Sequence, residues 1–250
     1  MSEAIDVTDH GPVRHIRINR PEKKNALTAA MYDALANALV ATRTRSDILC
    51  VMIAGTPGAF CAGNDLDDFR KAAEIGEGLG HHTLRFLHAL ASVERPLVAA
   101  VDGLAIGVGT TMLLHCDYVV ASRNARFATP FVNLGLVPEA ASSLLAPRLM
   151  GQRHAFALLV MGEPLDAVAA QGAGLVNVVV DSADVEQRTN EAAQRIAALP
   201  AEAVLASRRL MRGSPEEIIE RIDVEADFFR ERLQSPEAQS AFEAFFARKK

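Results

Sequence analysis

The chain has 250 residues, 50% of them hydrophobic, with 26 Lys and Arg against 31 Asp and Glu for a formal net charge of −5. A chain of this size and balance buries a full core and offers no basic tract longer than the pairs Lys23-Lys24, Arg208-Arg209 and Lys249-Lys250, which argues against a nucleic-acid surface. Three scattered cysteines, Cys50, Cys61 and Cys116, show no CxxC spacing and fit a reducing cytosol; Met1–Asp6 carries no signal-peptide pattern, and no apolar run reaches the ~18 residues of a membrane span, so a cytoplasmic protein is expected.

Val13-Arg14-His15-Ile16-Arg17-Ile18-Asn19 alternates apolar and polar residues, which predicts a strand with one buried face, ended by Arg20-Pro21. Thr28 is placed to cap a helix whose Met31, Leu35, Ala38 and Leu39 fall at helical spacing. Ile48–Ile53 is a short continuous apolar run before Gly55, the mark of a strand covered on both faces. A helix over about 80–93, a strand at Leu97–Val101, a helix after Gly109 and a strand at Tyr118–Ala121 follow in alternation, which predicts an α/β fold of parallel or mixed strands with crossover helices. Beyond Asp181 the strand signals stop. Ser214-Pro215-Glu216-Glu217 reads as a capping box with Pro at the first helical position, followed by the stripe Ile218, Ile222, Ala226, Phe229 and Leu233. Five of the eleven Phe lie between 228 and 246, so this arm is expected to bury an aromatic face against the body or a neighbouring subunit.

Two segments carry candidate chemistry. Thr129–Glu139 delivers a lone carboxylate, Glu139, after a Pro-punctuated turn in an apolar stretch, a placement suited to a general base; a helix-start carboxylate serving only the helix dipole is the ordinary alternative. Phe60-Cys61-Ala62-Gly63-Asn64-Asp65-Leu66 is a Gly-bearing loop running into a helix start, where free N–H groups are available to an oxyanion. Gly107-Val108-Gly109 lacks the third glycine of a dinucleotide fingerprint, since position 112 is Met. Cys61 reads as a small buried residue, and His81, His82, His88 and His115 lack zinc spacing, so no metal site is expected.

Asn19–Leu27, Phe60–Leu66, Pro96–Gly109, His115–Ser122, Arg126-Phe127 and Ala173–Val176 occur in an order that resembles the crotonase (enoyl-CoA hydratase/isomerase) superfamily over roughly residues 5–250. The resemblance implies a crotonase-like (ClpP/crotonase) ββα spiral over residues 1–183 with a helical arm over 184–250 that serves oligomerisation and covers the active site. The hydratases of this family use two glutamates, and the corresponding positions here are Thr111 and Phe131. Pro138-Glu139-Ala140-Ala141-Ser142-Ser143 resembles instead the Δ3,Δ2-enoyl-CoA isomerase branch, with its single catalytic Glu.

That branch implies a shift of the double bond of 3-enoyl-CoA to 2-enoyl-CoA, in fatty-acid β-oxidation, with Glu139 as acid and base and the N–H groups of Ala62 and Val108 as oxyanion donors. Gly63 and Gly107 shape the two loops; Asn64, Asp65 and Leu66 belong to the substrate loop, although Asn-Asp at a helix start is ordinarily a cap. Lys23 and Lys24 stand where coenzyme A phosphates are expected, or form a solvated pair. Coenzyme A is part of the substrate and no cofactor is implied; the assembly implied is a homotrimer or hexamer. Hydratase activity of the same family and non-catalytic acyl-CoA binding are the alternatives.

Overall fold

The computed structural model describes residues 4–65, 67–68 and 78–247; Leu66 and the Lys249-Lys250 pair lie outside the described residues. Strands β1 (Ile5–His10) and β2 (Val13–Ile18) pair as an antiparallel hairpin. The parallel strands β3 (Cys50–Ala54), β5 (Leu97–Val101), β7 (Tyr118–Ser122) and β10 (Val178–Val180) extend it in the order β1-β2-β3-β5-β7-β10, with β4 (Ala59–Cys61), β6 (Leu104–Ile106), β8 (Arg126–Ala128) and β9 (Leu165–Asp166) forming a second sheet in that order. Helices α1 (Ala29–Val40), α2 (His81–Ser92), α3 (Val108–Thr111), α4 (Ser142–Leu159) and α5 (Ala167–Gly172) accompany the sheets, and α6 (Val185–Ala197), α7 (Ala201–Arg212), α8 (Pro215–Leu233) and α9 (Pro236–Ala247) follow them. Each turn lays one strand in each sheet and then a helix: β3-β4-α2, β5-β6-α3, β7-β8-α4. This is the ββα spiral.

The continuous apolar runs have a physical reason in the large sheet. Ile16, Ile18, Val51, Ile53, Leu97, Ala99 and Val101 face the main core, while Val13, Cys50, Met52, Ala54, Val98 and Ala100 face α6 through Val185, Ala193 and Ala197. A sheet covered on both faces selects apolar residues at every position. On β2 the alternation has a second meaning: Arg17 pairs with Glu186 and His15 with Asn190, both on α6, so its polar face is covered rather than wet.

Several elements differ from the sequence expectation. β1 carries no readable pattern because only Ile5 of its six residues is buried. The second sheet is built from strands of two or three residues, too short for a period to register. The helix expected after Gly109 begins at Val108 and tightens into a 3₁₀ turn over Met112–His115. α4 holds Pro147 and breaks at Gly151 (φ 76°, ψ 157°). Ser214 caps α8 by accepting the Glu216 N–H at 3.2 Å, but the reciprocal half of the box is missing, because Glu217 is drawn to Arg148 at 2.6 Å. The arm stripe Ile218, Ile222, Ala226, Phe229 and Leu233 is buried on the same chain's core, whereas Phe228 is exposed.

The loop after β2 is held by one buried side chain. Asn25, with left-handed backbone (φ 60°), accepts the Arg20 N–H at 2.8 Å and donates to Ala59 O at 2.6 Å, Phe60 O at 3.2 Å and Thr56 Oγ1 at 3.0 Å. Asn25→Ala removes all of these from a fully buried site and is expected to cost about 3 kcal/mol at about 1–3 kcal/mol per polar group left unpaired. At about 2–4 °C per kcal/mol for a chain of this size, a thermal melt should show Tm lower by roughly 6–12 °C. A drop of less than about 2 °C would remove the clamp from the account.

Candidate active site

The Asn25 clamp presents the Ala62–Asp65 loop. Leu27 and Asn64 form a parallel bridge: the Leu27 N–H bonds Gly63 O and the Asp65 N–H bonds Leu27 O, both at 2.8 Å. In a parallel bridge the residue opposite turns its own N–H the other way. The Asn64 N–H accordingly has no acceptor among the described residues, and Asn64 lines a cavity of about 370 Å³. Ala62 is different. Its N–H is spent on the Lys24 carbonyl at 3.0 Å, so the expectation that Ala62 supplies an oxyanion donor is corrected: the free N–H of this loop belongs to Asn64.

Val108 supplies the opposing group. It is the first residue of α3, where an N–H has no intrahelical acceptor, and no other acceptor meets it among the described residues. Gly109 permits the approach, because a Cβ there would lie 2.4 Å from the Cys61 carbonyl oxygen. Ala62, Gly63, Asn64, Gly107 and Val108 all line the cavity, opposite an apolar wall that includes Phe131, Leu136, Phe229 and Phe242. The arm therefore contributes to the site directly, through α8 and α9.

Glu139 is 2% exposed and does not reach the lining. Its Oε1 accepts the Thr111 hydroxyl at 2.5 Å, and its Oε2 has no partner among the protein atoms. It is not a helix-start carboxylate, for two residues with left-handed backbone, Ala140 (φ 63°) and Ala141 (φ 54°), separate it from α4. Asp65 is likewise reassigned. It pairs with Arg20 at 2.7 Å and caps the N–H groups of Asp67 and Asp68, so it braces the loop and stays out of the cavity lining. Lys23 and Lys24 are exposed and also outside the lining, and Leu66 lies outside the described residues.

The chain that carries these two loops, the buried carboxylate and the apolar cavity matches the family model described as enoyl-CoA hydratase/isomerase over residues 8–250. The chain belongs to the enoyl-CoA hydratase/isomerase family. It is 35% identical to enoyl-CoA delta isomerase 2 of Rattus norvegicus over 99% of its own length, and spans 64% of that protein. It is 30% identical to a probable enoyl-CoA hydratase of Rhizobium meliloti, covering 99% of this chain and 96% of that one. The crystal structure of an enoyl-CoA hydratase/isomerase from Pseudoalteromonas atlantica superposes with a TM-score of 0.92 at 42% identity, covering 98% of each chain. The fold is thus that of the crotonases, the family acts on acyl-CoA thioesters, and among the described residues no helix is long and apolar enough to cross a membrane.

Three residues of the site escape sequence reasoning. Tyr32 hides in the buried face of α1, yet its hydroxyl donates to Asn64 Oδ1 and fixes that side chain. Thr111 shows in sequence only as a missing glutamate, and in the structure it holds Glu139. His115 reads as a satisfied core residue; its Nε2 bonds Ala140 O at 2.8 Å, and burial lowers its pKa to about 4, so the neutral ring donates there.

Burial pushes the Glu139 pKa up to about 8, opposed by the Thr111 hydrogen bond and assisted by the neighbouring charge of Glu225. Burial also raises Cys61 to about 12, which leaves the thiol protonated and not a nucleophile. For Glu139 the linkage has a definite sign. A carboxyl whose folded-state pKa lies above its unfolded value keeps its proton longer in the native state, so stability is lost as pH rises from about 4.5 through about 8. Glu139→Gln has no charge to bury. The Tm of Glu139→Gln minus that of wild type should therefore grow across this window and level off above it; a pH-independent difference would show that Glu139 titrates normally.

Proposed function

We propose that this chain is an enoyl-CoA isomerase that moves the double bond of a 3-enoyl-CoA thioester to the 2-position, with Glu139 as its single acid and base. The observation that carries this reading is that Glu139 has no carboxylate partner at either position where a hydratase keeps one: Thr111 donates to it, and Phe131 forms part of the wall. Among the described residues the cavity lining holds no acid and no histidine. Adding water takes two positioned acid/base groups, whereas a 1,3-proton shift takes one.

In this reading the Glu139 carboxylate takes a proton from C2. The C2–H electron pair passes into the thioester to give a dienolate, whose oxygen is held by the Asn64 and Val108 N–H groups, each donor of this kind contributing about 2.7–4 kcal/mol. Return of the proton to C4 leaves the double bond between C2 and C3 and restores the carboxylate. Because Glu139 is buried and stands outside the lining, this reading requires the cavity wall to shift when the acyl chain enters. The apolar wall receives the chain, and Lys23 and Lys24, on the loop tied to Ala62, meet the coenzyme A phosphates. Coenzyme A enters with the substrate, so the chemistry calls for no cofactor. A trimer or hexamer is proposed from α7, which buries no apolar side chain fully and exposes Leu210 (86%) and Met211 (87%). Cytoplasmic fatty-acid β-oxidation is the setting that this substrate and the free cysteines suit.

Purified protein offered 3-enoyl-CoA and 2-enoyl-CoA thioesters of several lengths should isomerise the former faster than it hydrates the latter. Its kcat/KM should rise with pH toward a plateau above about 8, as the base ionises. Glu139→Gln should lower turnover by at least about 10²-fold with little change in acyl-CoA affinity, and washout of deuterium at C2 should fall with it. Near wild-type isomerisation by Glu139→Gln, or faster hydration by the wild type, overturns the reading; binding without turnover by the wild type favours a non-catalytic acyl-CoA carrier.

A further inference from the structure

The turn that follows Glu139 runs against backbone preference. Ala140 and Ala141 both adopt left-handed φ, a conformation that costs a residue with a Cβ about 1–2 kcal/mol. Such a turn persists only where its surroundings over-determine it. One restraint comes from the spiral: His115 bonds the Ala140 carbonyl. The other comes from the arm. Glu225, on α8 and 5% exposed, accepts both the Ser143 N–H at 2.9 Å and the Ser143 hydroxyl at 2.5 Å, at the first turn of α4.

Glu225 lies on the buried side of α8, among the apolar residues Ile222, Ala226 and Phe229. Arg221, one turn earlier, directs its guanidinium to the Ser143 hydroxyl at 3.4 Å, and Glu225 Oε2 has no partner among the protein atoms. A carboxylate buried in this way is a costly means of docking a helix, since an apolar residue of similar volume would serve stability as well or better. Its position beside the one carboxyl the reaction uses points to a different reason.

We propose that Glu225 is a positioning residue which, from the arm, holds the left-handed turn that aims Glu139 at the cavity. The proposal rests on the reading of Glu139 as the base. Thr111 of α3 donates to Glu139, and Tyr32 of α1, Cys61 of β4 and Glu225 of α8 lie near enough to interact with it electrostatically. Burial raises the pKa of both Tyr32 and Cys61, so these two stay neutral, and burial of His115 keeps the neighbouring imidazole neutral as well. Burial raises the pKa of Glu225 too, opposed by its hydrogen bonds from Ser143 and by the charge of Arg221, and in its ionised form Glu225 is the neighbour whose charge Glu139 feels. The arm thereby holds the turn beside the base and adds to the effect of burial on the pH at which it ionises.

The test uses Glu225→Ala, Glu225→Gln and Glu139→Gln, each checked by thermal melt, with kcat and KM for a 3-enoyl-CoA measured against pH. Glu225→Ala should lower kcat by about 10-fold or more while KM moves less than about threefold, because the base loses its aim and the binding loops are untouched. Glu225→Gln keeps an acceptor for Ser143 and should recover most of kcat, but with the like charge gone the rising limb of kcat/KM should move to lower pH. The same displacement should appear without any turnover, in the pH at which the Tm difference between Glu139→Gln and its parent levels off, when the pair is remade in the Glu225→Gln background. If Glu225→Ala fails to fold, Glu225→Gln and this Tm comparison decide. A folded Glu225→Ala with wild-type kcat, or a Glu225→Gln that leaves both pH dependences in place while Glu139→Gln is inactive, overturns the positioning role alone. A Glu139→Gln that isomerises at the wild-type rate overturns the base and this role with it.

Discussion

The site depends on keeping a carboxyl group out of water with no cation beside it. Among the described residues Glu139 has one hydroxyl as a hydrogen-bond partner and no cation, so burial raises its proton affinity rather than locking it as an anion. A salt bridge would have made the carboxylate permanent and weak as a base, and full solvation would have left it at an ordinary carboxylate pKa, where proton transfer from carbon has little driving force. The surrounding polar contacts, from Thr111, His115 and Glu225, hold the backbone and one oxygen and leave the other oxygen bare.

The two halves of the fold contribute differently to this end. The spiral supplies both proposed oxyanion loops by the same device, in which the chain turns away after a strand of the small sheet with an N–H unspent among the described residues. Such groups are recruited by backbone geometry, and the side chains at those positions are free to vary. The arm supplies bulk: Phe229 and Phe242 close the cavity, and the apolar stripe of α8 docks it. Chemistry on the spiral and enclosure by the arm divide the labour, with Glu225 as the point where the division is crossed.

How legible this was in the sequence depended on how many residues carried each signal. The strands of the large sheet, buried on both faces, announced themselves as apolar runs, and the α8 stripe did so by helical spacing. The small sheet did not, because two or three residues cannot display a period. Among candidate site residues, Glu139 and Val108 were singled out by ordered motifs, whereas the choice of Ala62 over Asn64 met an N–H already spent on Lys24. Which N–H in a Gly-bearing loop is free depends on a partner dozens of residues away, here Lys24 for one and the bridge to Leu27 for the other. Tyr32 and Glu225 were hidden for the opposite reason, since each sits in a helical stripe whose burial already had a sufficient explanation.

Val108, Thr111 and His115 lie within eight consecutive residues, on one α turn continued as 3₁₀. The proposed oxyanion donor, the group that holds the proposed base and the group that holds the turn beyond it are thus marks on a single short ruler. Thermal displacement of that ruler moves all three in common mode, and their mutual spacing is carried by local helical geometry rather than by the packing of distant elements. Substitutions that reshape the cavity wall or the acyl pocket leave this spacing alone. A scaffold of this kind separates the tolerance of its chemistry from the tolerance of its specificity, so its substrate range is free to drift while the proton-transfer geometry stays fixed.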